Sequence, residues 1–158
     1  MHLDLIETKD PQYFLPLFEG LSEFKDMAFK SDILDYLQGK EDALIRMQKI
    51  YLIFDTNEVA GISGFYQYTD TPEGLYWVNW LGVLPKFRRQ GIGRYIVEDL
   101  FKKCKKMNAK RMKVYTDDFN TVAIHLYEKC GFHLISERSD THVDLEKYPS
   151  CRVFEHEF

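Results

Sequence analysis

The spacing of hydrophobic and polar positions changes period several times along the chain. Residues 3–8, LDLIET, alternate and predict a first strand. Pro11 opens a helical stretch through Tyr13, Leu17, Phe18 and Leu21. Ser31-Asp32 is placed to cap a second helix, with Ile33, Leu34 and Leu37 on one face, and Gly39 breaks it before Leu44-Ile45. IYLIF (50–54) and VAGISGFYQY (59–68) flank the turn-rich tetrad DTNE and predict a β-hairpin. LYWVNWLGV (75–83) is a further β-prone run, ended by Pro85. Alternation within it puts Trp77 and Asn79 on one face, and Tyr76 and Trp80 on the other.

From Gly91 the period becomes helical. Ile92, Ile96, Val97, Leu100, Phe101, Cys104 and Met107 recur on one side, while Lys102, Lys103, Lys105 and Lys106 fall mainly on the other. RMKVYT (111–116) predicts a strand. Asn120 caps a short helix with Val122, Ala123, Leu126, Tyr127 and Cys130 as its apolar face. Gly131 suits the left-handed position after it. FHLISER (132–138) and CRVFEHEF (151–158) predict closing strands. The order β-α-α-β-β-β-α-β-α-β-β describes one mixed α+β domain over residues 1–158, with crossover helices near its middle.

Composition adds limits rather than detail. The 158 residues are 45% apolar and 29% charged, an ordinary globular balance, and the net charge of −4 argues against nucleic acid as the main partner. The lysines of 102–113 read as a solvated helix face, since no aromatic stacking platform accompanies them. Cys104, Cys130 and Cys151 form no C-x-x-C pair, which favours a reduced, cytoplasmic setting. No apolar run is long enough to span a bilayer, and MHLDLIETKD lacks the features of a signal peptide. The histidines show no metal-ligand spacing with the cysteines, so no metal is expected.

The stretch carrying candidate chemistry is RRQGIGRY, residues 88–95. It follows a strand and opens a helix, where unpaired N–H groups and the positive dipole end favour an anion. A plain strand-to-helix turn explains the same residues equally well. Two well-known phosphate loops fit poorly: Ile96 stands where a dinucleotide fingerprint needs glycine, and G-x-x-x-x-G-K-[ST] is absent.

Wider context separates these readings. W-L-G-V-L-P-K-F-R-R-Q-G-I-G resembles the acetyl-coenzyme-A motif of the GNAT superfamily of N-acetyltransferases, [QR]-x-x-G-x-[GA], met by Arg88, Gly91 and Gly93. Val83 and Pro85 also match, as do Asn120, Tyr127 and Gly131-Phe132 of a second family element. The resemblance implies a mixed, mostly antiparallel sheet of about seven strands flanked by four helices. It implies an acyltransferase moving acetyl from acetyl-CoA to a primary amine, by direct attack in a ternary complex. The pantetheine arm would pair with the edge at Leu81, Gly82 and Val83, and the pyrophosphate would sit on backbone N–H groups of Arg89, Gln90, Gly91, Ile92, Gly93 and Arg94, with Arg88 as a further cofactor-binding residue that adds positive charge. Glycines at 91 and 93 would leave room for the phosphates. Asn120 and Tyr127 would touch the cofactor, with Tyr127 as general acid. Trp77 and Asn79 are candidates for the acceptor pocket. Phe24, Phe29 and Tyr36 stand where the family's variable helices cover the acceptor. The family's carboxylate base is missing, because Trp77 and Tyr115 occupy its usual positions; Glu73, a water chain or a neutral substrate would replace it. The alternative is a non-catalytic acetyl-CoA sensor or partner-binding module. A small-molecule or peptide amine is the expected partner, and a homodimer is expected by analogy, with the C-terminal strand as a contributing edge.

Overall fold

The computed structural model describes residues 1–135, 144 and 146–158. Seven strands form one sheet: β1 (Leu3–Ile6), β2 (Ile45–Asp55), β3 (Glu58–Tyr68), β4 (Leu75–Val83), β5 (Arg111–Asp117), β6 (His133–Leu134) and β7 (Cys151–Glu157). Their spatial order is β1-β2-β3-β4-β5-β7-β6. All neighbours are antiparallel except β4 and β5. A parallel pair needs a crossover, and α3 (Ile92–Lys106) supplies it. The helices α1 (Leu15–Gly20), α2 (Phe29–Leu37) and α4 (Thr121–Lys129) complete the predicted order.

Each sheet face carries its own core, as alternation along a strand requires. On one face Ile96, Val97, Leu100 and Cys104 of α3, and Tyr127 of α4, pack on Tyr76, Val78, Met112 and Val114. On the other, Phe14, Leu17, Leu21, Phe29, Ile33 and Tyr36 from the N-terminal helices cover Ile50, Leu52 and Ile62. The second face continues past these helices as a smaller cluster of Tyr66, Leu75, Trp77 and Val153.

The predicted elements all form, and four details differ. Helix α2 begins at Phe29 after Ala28, so Asp32 lies inside its first turn, with its N–H already bonded to the Ala28 carbonyl at 2.9 Å. The Ser31 hydroxyl likewise donates to the Ala28 carbonyl and caps nothing. Val122, one residue into α4, is 81% exposed because the first turn projects past the core. Strand β7 lies between β5 and β6 rather than at the end of the sheet order; β6 pairs with it at Phe154 and Glu155. The predicted strand 132–138 appears as β6; residues 136–138 and His142 lie outside the described residues.

The fourth difference is in β4. Ile62 faces Gly82 and Gly64 faces Asn79, so Trp80 and Leu81 together stand opposite Ser63. This β-bulge inserts one residue and breaks the alternation. Tyr76 joins the α3/α4 core, whereas Trp80 packs with the α1/α2 core. The two aromatics expected on one face therefore lie on opposite faces, and Trp80 shares its face with Trp77.

Candidate active site

The parallel ladder between β4 and β5 joins only Leu75, Tyr76 and Trp77 to Arg111, Met112 and Lys113. Beyond that point β4 stays paired to β3 as far as Val83, and β5 stays paired to β7 as far as Asp117. The two strands separate, and the β5-facing edge of β4 from Val78 onward has no ladder partner among the described residues. An unpaired edge is a template for an extended ligand. Leu81, Gly82 and Val83 are on that edge.

The strand then enters the glycine loop through Pro85–Phe87, a single 3-10 turn. Arg89 and Gly91 take left-handed backbone angles, φ 63° and 79°. Such residues turn neighbouring N–H groups toward a shared hollow. Helix α3 opens at Ile92 with no side-chain cap and no acidic residue in its first turn, so its first N–H groups remain available. Each glycine has a further cause. Gly91 supplies the positive φ, and a Cβ there would meet nothing within 4 Å. A Cβ on Gly93 would lie 3.1 Å from Leu126 Cδ2, so Gly93 lets α4 approach the loop. That approach places Tyr127, the next residue, in one apolar cluster with Ile92, against which Leu81 and Val83 pack.

The remaining predicted donor-site residues divide by what their side chains do. The Arg88 guanidinium donates to the Val83 carbonyl at 2.8 Å and to both Glu23 carboxylate oxygens at 2.9 and 3.0 Å. It fastens the loop to the N-terminal segment, and its own N–H closes the 3-10 turn on the Pro85 carbonyl at 3.2 Å. Arg94 pairs with Glu98 one turn on, fully in solvent. Gln90 reaches the Lys86 carbonyl at 3.4 Å. Asn120 accepts from the Ala123 N–H at 3.3 Å as the cap of α4. The Tyr127 ring is 5% exposed and meets Phe132 edge-on at 5.6 Å; burial raises its phenol well above the usual range. Among the described residues its hydroxyl makes no hydrogen bond.

Comparison with known proteins decides the family. The sequence profile of the acetyltransferase (GNAT) family matches residues 14–132. The chain belongs to the GNAT acetyltransferase family. It is 28% identical over 129 residues to the uncharacterized N-acetyltransferase YvbK of Bacillus subtilis (strain 168), spanning 81% of this chain and 71% of that one. A GNAT-family acetyltransferase from Staphylococcus aureus Mu50 superposes with a TM-score of 0.74 at 16% identity, over 99% of each chain. A putative streptothricin acetyltransferase from Bacillus anthracis str. Ames, solved in complex with acetyl coenzyme A, gives 0.58 at 20% identity, over 70% of this chain and 62% of that one. These likenesses establish the fold. Among the described residues of this GNAT acetyltransferase, no helix is long and apolar enough to cross a membrane.

The opposite side of the open edge is aromatic. Trp80 meets Phe24 at 5.1 Å and Phe29 at 5.2 Å, so two of the predicted pocket aromatics act as its wall. Tyr36 is buried in the same core. Trp77 is 1% exposed and meets Tyr115 edge-on at 6.1 Å, while Tyr66 and Tyr68 meet edge-on at 5.5 Å beside it on β3. Asn79 is buried and committed to the bulge: its carbonyl accepts from the Ser63 hydroxyl at 2.9 Å, and its amide oxygen accepts from the Trp80 N–H at 3.0 Å. Glu73 stands in the turn before β4. The six residue steps from Leu75 to Leu81 alone span about 20 Å of extended chain, so Glu73 is remote from Leu81–Val83.

Sequence reasoning missed the acidic group nearest this face. Asp32 follows Phe29 by three residues and precedes Tyr36 by four, so it shares their helix face. The spacing Phe29, Asp32, Ile33, Tyr36 was the available signal, and it was obscured by treating Asp32 as a cap. Desolvation raises the Asp32 carboxyl above its ordinary value; hydrogen bonding from the Trp80 side chain opposes the rise and the Asp35 charge adds to it.

Proposed function

We propose that this protein transfers acetyl from acetyl-CoA to a primary amine. The carrying observation is the open β4 edge running directly into an uncapped, glycine-bearing helix start, with Tyr127 packed against both. An extended pantetheine arm fits the first feature and a pyrophosphate fits the second. The neutral amine nitrogen attacks the thioester carbon in a ternary complex, the C–S bond breaks, the nitrogen gives up one proton to solvent as the amide forms, and the sulfur departs as thiolate beside Tyr127. The phenol supplies the hydrogen bond that the developing thiolate needs. No covalent acyl-protein step is required, because donor and acceptor approach from the two sides of one strand. Cys104, 0% exposed in the α3 core, is unsuited to accept the acyl group in any case.

Acetyl-CoA binding to the native state must raise stability, by about 2.7 kcal/mol at a hundredfold excess over Kd. For a chain of this size that is a rise in unfolding temperature of about 5–10 °C. The expected result is such a shift, together with CoA release that depends on an added amine. Absence of a shift at millimolar acetyl-CoA refutes the reading. A shift without amine-dependent release identifies a binding module instead.

A further inference from the structure

The donor side of the site is accounted for by the open edge and the glycine loop; the opposite face of β4 is not. There the bulge delivers Trp80 to the α1/α2 side, next to Trp77. Three tyrosines stand on the same face: Tyr66 opposite Trp77 across β3 and β4, Tyr68 edge-on to Tyr66, and Tyr115 against Trp77. The α1/α2 core ends at Phe29 and Tyr36; Trp77 and Tyr66 are buried at the floor of the patch, while Tyr115 keeps 43% of its surface in solvent. Asp32 is one turn from Phe29, whose ring touches Trp80 at 5.2 Å. A carboxylate thus stands at the edge of a group of aromatic rings, beside the strand where the reacting acetyl would arrive.

Several carboxylates bear on the patch. The Asp32 charge bears on Tyr66, Tyr68 and Tyr115. Asp42 and Asp70 also bear on Tyr68, and Asp35 on Asp32. The nearby cations are committed. Arg46 donates to the Gln67 side chain and the Thr71 carbonyl, Arg111 pairs with Glu155 at 3.0 Å, and Lys113 lies 3% exposed beneath the Trp77 ring. An acidic rim over aromatic faces attracts ammonium groups twice, by Coulomb attraction and by the ring quadrupoles.

We propose that Asp32 is the anionic anchor of the acceptor site, and that the acceptor is an aliphatic diamine or polyamine held against Trp80, Tyr66, Tyr68 and Tyr115. One ammonium pairs with the carboxylate and the aromatic faces flank the alkyl chain. A carboxylate next to the amine is disfavoured, because it would face Asp32, Asp42 and Asp70. This assignment rests on the transferase reading for turnover but not for binding.

Binding can be read separately. The chain has two tryptophans, Trp77 and Trp80, both on β4. Their emission therefore reports on this face. Protein saturated with CoA is titrated with diaminobutane, and with aminobutyrate, which presents one amine and one carboxylate. A saturable emission change is expected with the diamine, and binding of aminobutyrate weaker by more than about tenfold. Asp32→Asn should weaken diamine binding about 10- to 100-fold, the range for a lost hydrogen bond to a charged group. Asp32→Glu should restore most of it, and the unfolding temperature of both variants should stay within about 2 °C of the parent, as for an exposed helix position. In turnover, the amine KM should rise by the same factor while the acetyl-CoA KM stays fixed. Equal binding of the two ligands, no emission change with either, or an Asp32→Asn variant with unchanged amine affinity would each overturn the assignment. Asp32-dependent diamine binding without CoA release would uphold the anchor and refute the transferase reading. CoA release whose amine KM ignores Asp32 would do the reverse.

Discussion

Tyr127 combines two properties that pull against each other. Burial raises its phenol, so the proton is retained throughout the physiological range. The same burial makes it a weak acid relative to a thiol, whose ordinary pKa is about 8.5. Its contribution is therefore a hydrogen bond to the developing thiolate rather than a completed proton transfer; the thiolate is balanced by the proton that the attacking nitrogen gives up as the amide forms. Tyr127→Phe should lower kcat about 100-fold, with the acetyl-CoA Kd within about twofold, because the ring packing against Phe132 is preserved. No loss of kcat assignable to this phenol should appear below about pH 10, the ordinary tyrosine pKa; an earlier loss traceable to residue 127 would contradict the role. Gly91 offers a second test at this scale. Since an added Cβ meets nothing, Gly91→Ala costs only the left-handed φ, about 1 kcal/mol, or about 2–4 °C in unfolding temperature. Any larger loss of acetyl-CoA affinity then reports the backbone cradle itself.

At the scale of elements, β2, β3 and β4 form the rigid part on which the open edge depends. Gly64 lies in β3 facing β2, and an added Cβ would run into the Lys49 carbonyl. Backbone cannot step aside as a flexible side chain can. Gly64→Ala should cost about 2–3 kcal/mol, or about 5–10 °C, measurable by calorimetry. It should also impair turnover by shifting β4, although no site residue is altered. Most elements were legible in the sequence, because helical and strand periods differ sharply around Gly91 and within IYLIF and VAGISGFYQY. The glycine loop was legible because Gly91 and Gly93 are constrained twice over, by φ and by the Leu126 approach. The bulge was not, since nothing in LYWVNWLGV marks the point where Trp80 and Leu81 share one partner. The face of Trp80 was misassigned for that reason, and Asp32 was missed because a polar residue near a helix start reads as a cap until the start is located.

For the whole molecule, the informative chemistry is how many tyrosines resist ionisation. Seven of the ten, Tyr36, Tyr51, Tyr66, Tyr68, Tyr76, Tyr115 and Tyr127, are raised, in every case chiefly by burial. Tyr51 and Tyr115 are pushed up to about 12. A group whose folded pKa exceeds its unfolded one holds its proton more tightly when folded. Its stabilising contribution is complete below about pH 10 and is lost as pH rises through the folded value. Stability should therefore be level through neutrality and fall steeply from about pH 10 to 12. A spectrophotometric titration should show most of the tyrosinate signal rising together with loss of the fold. A single step near pH 10 with the fold intact would contradict the burial pattern.

The bulge gives β4 a property that composition alone does not convey: its residue count is part of its information. Deleting Leu81 would restore strict alternation, turn Trp80 away from the patch beside Asp32, and draw the Pro85–Gly91 loop back by about 3.3 Å. Both halves of the site would lose their alignment without the loss of a single polar group. In engineering terms, the strand tolerates substitution at many positions and shortening at none, so variants of the acceptor face should be sought by exchange and never by deletion.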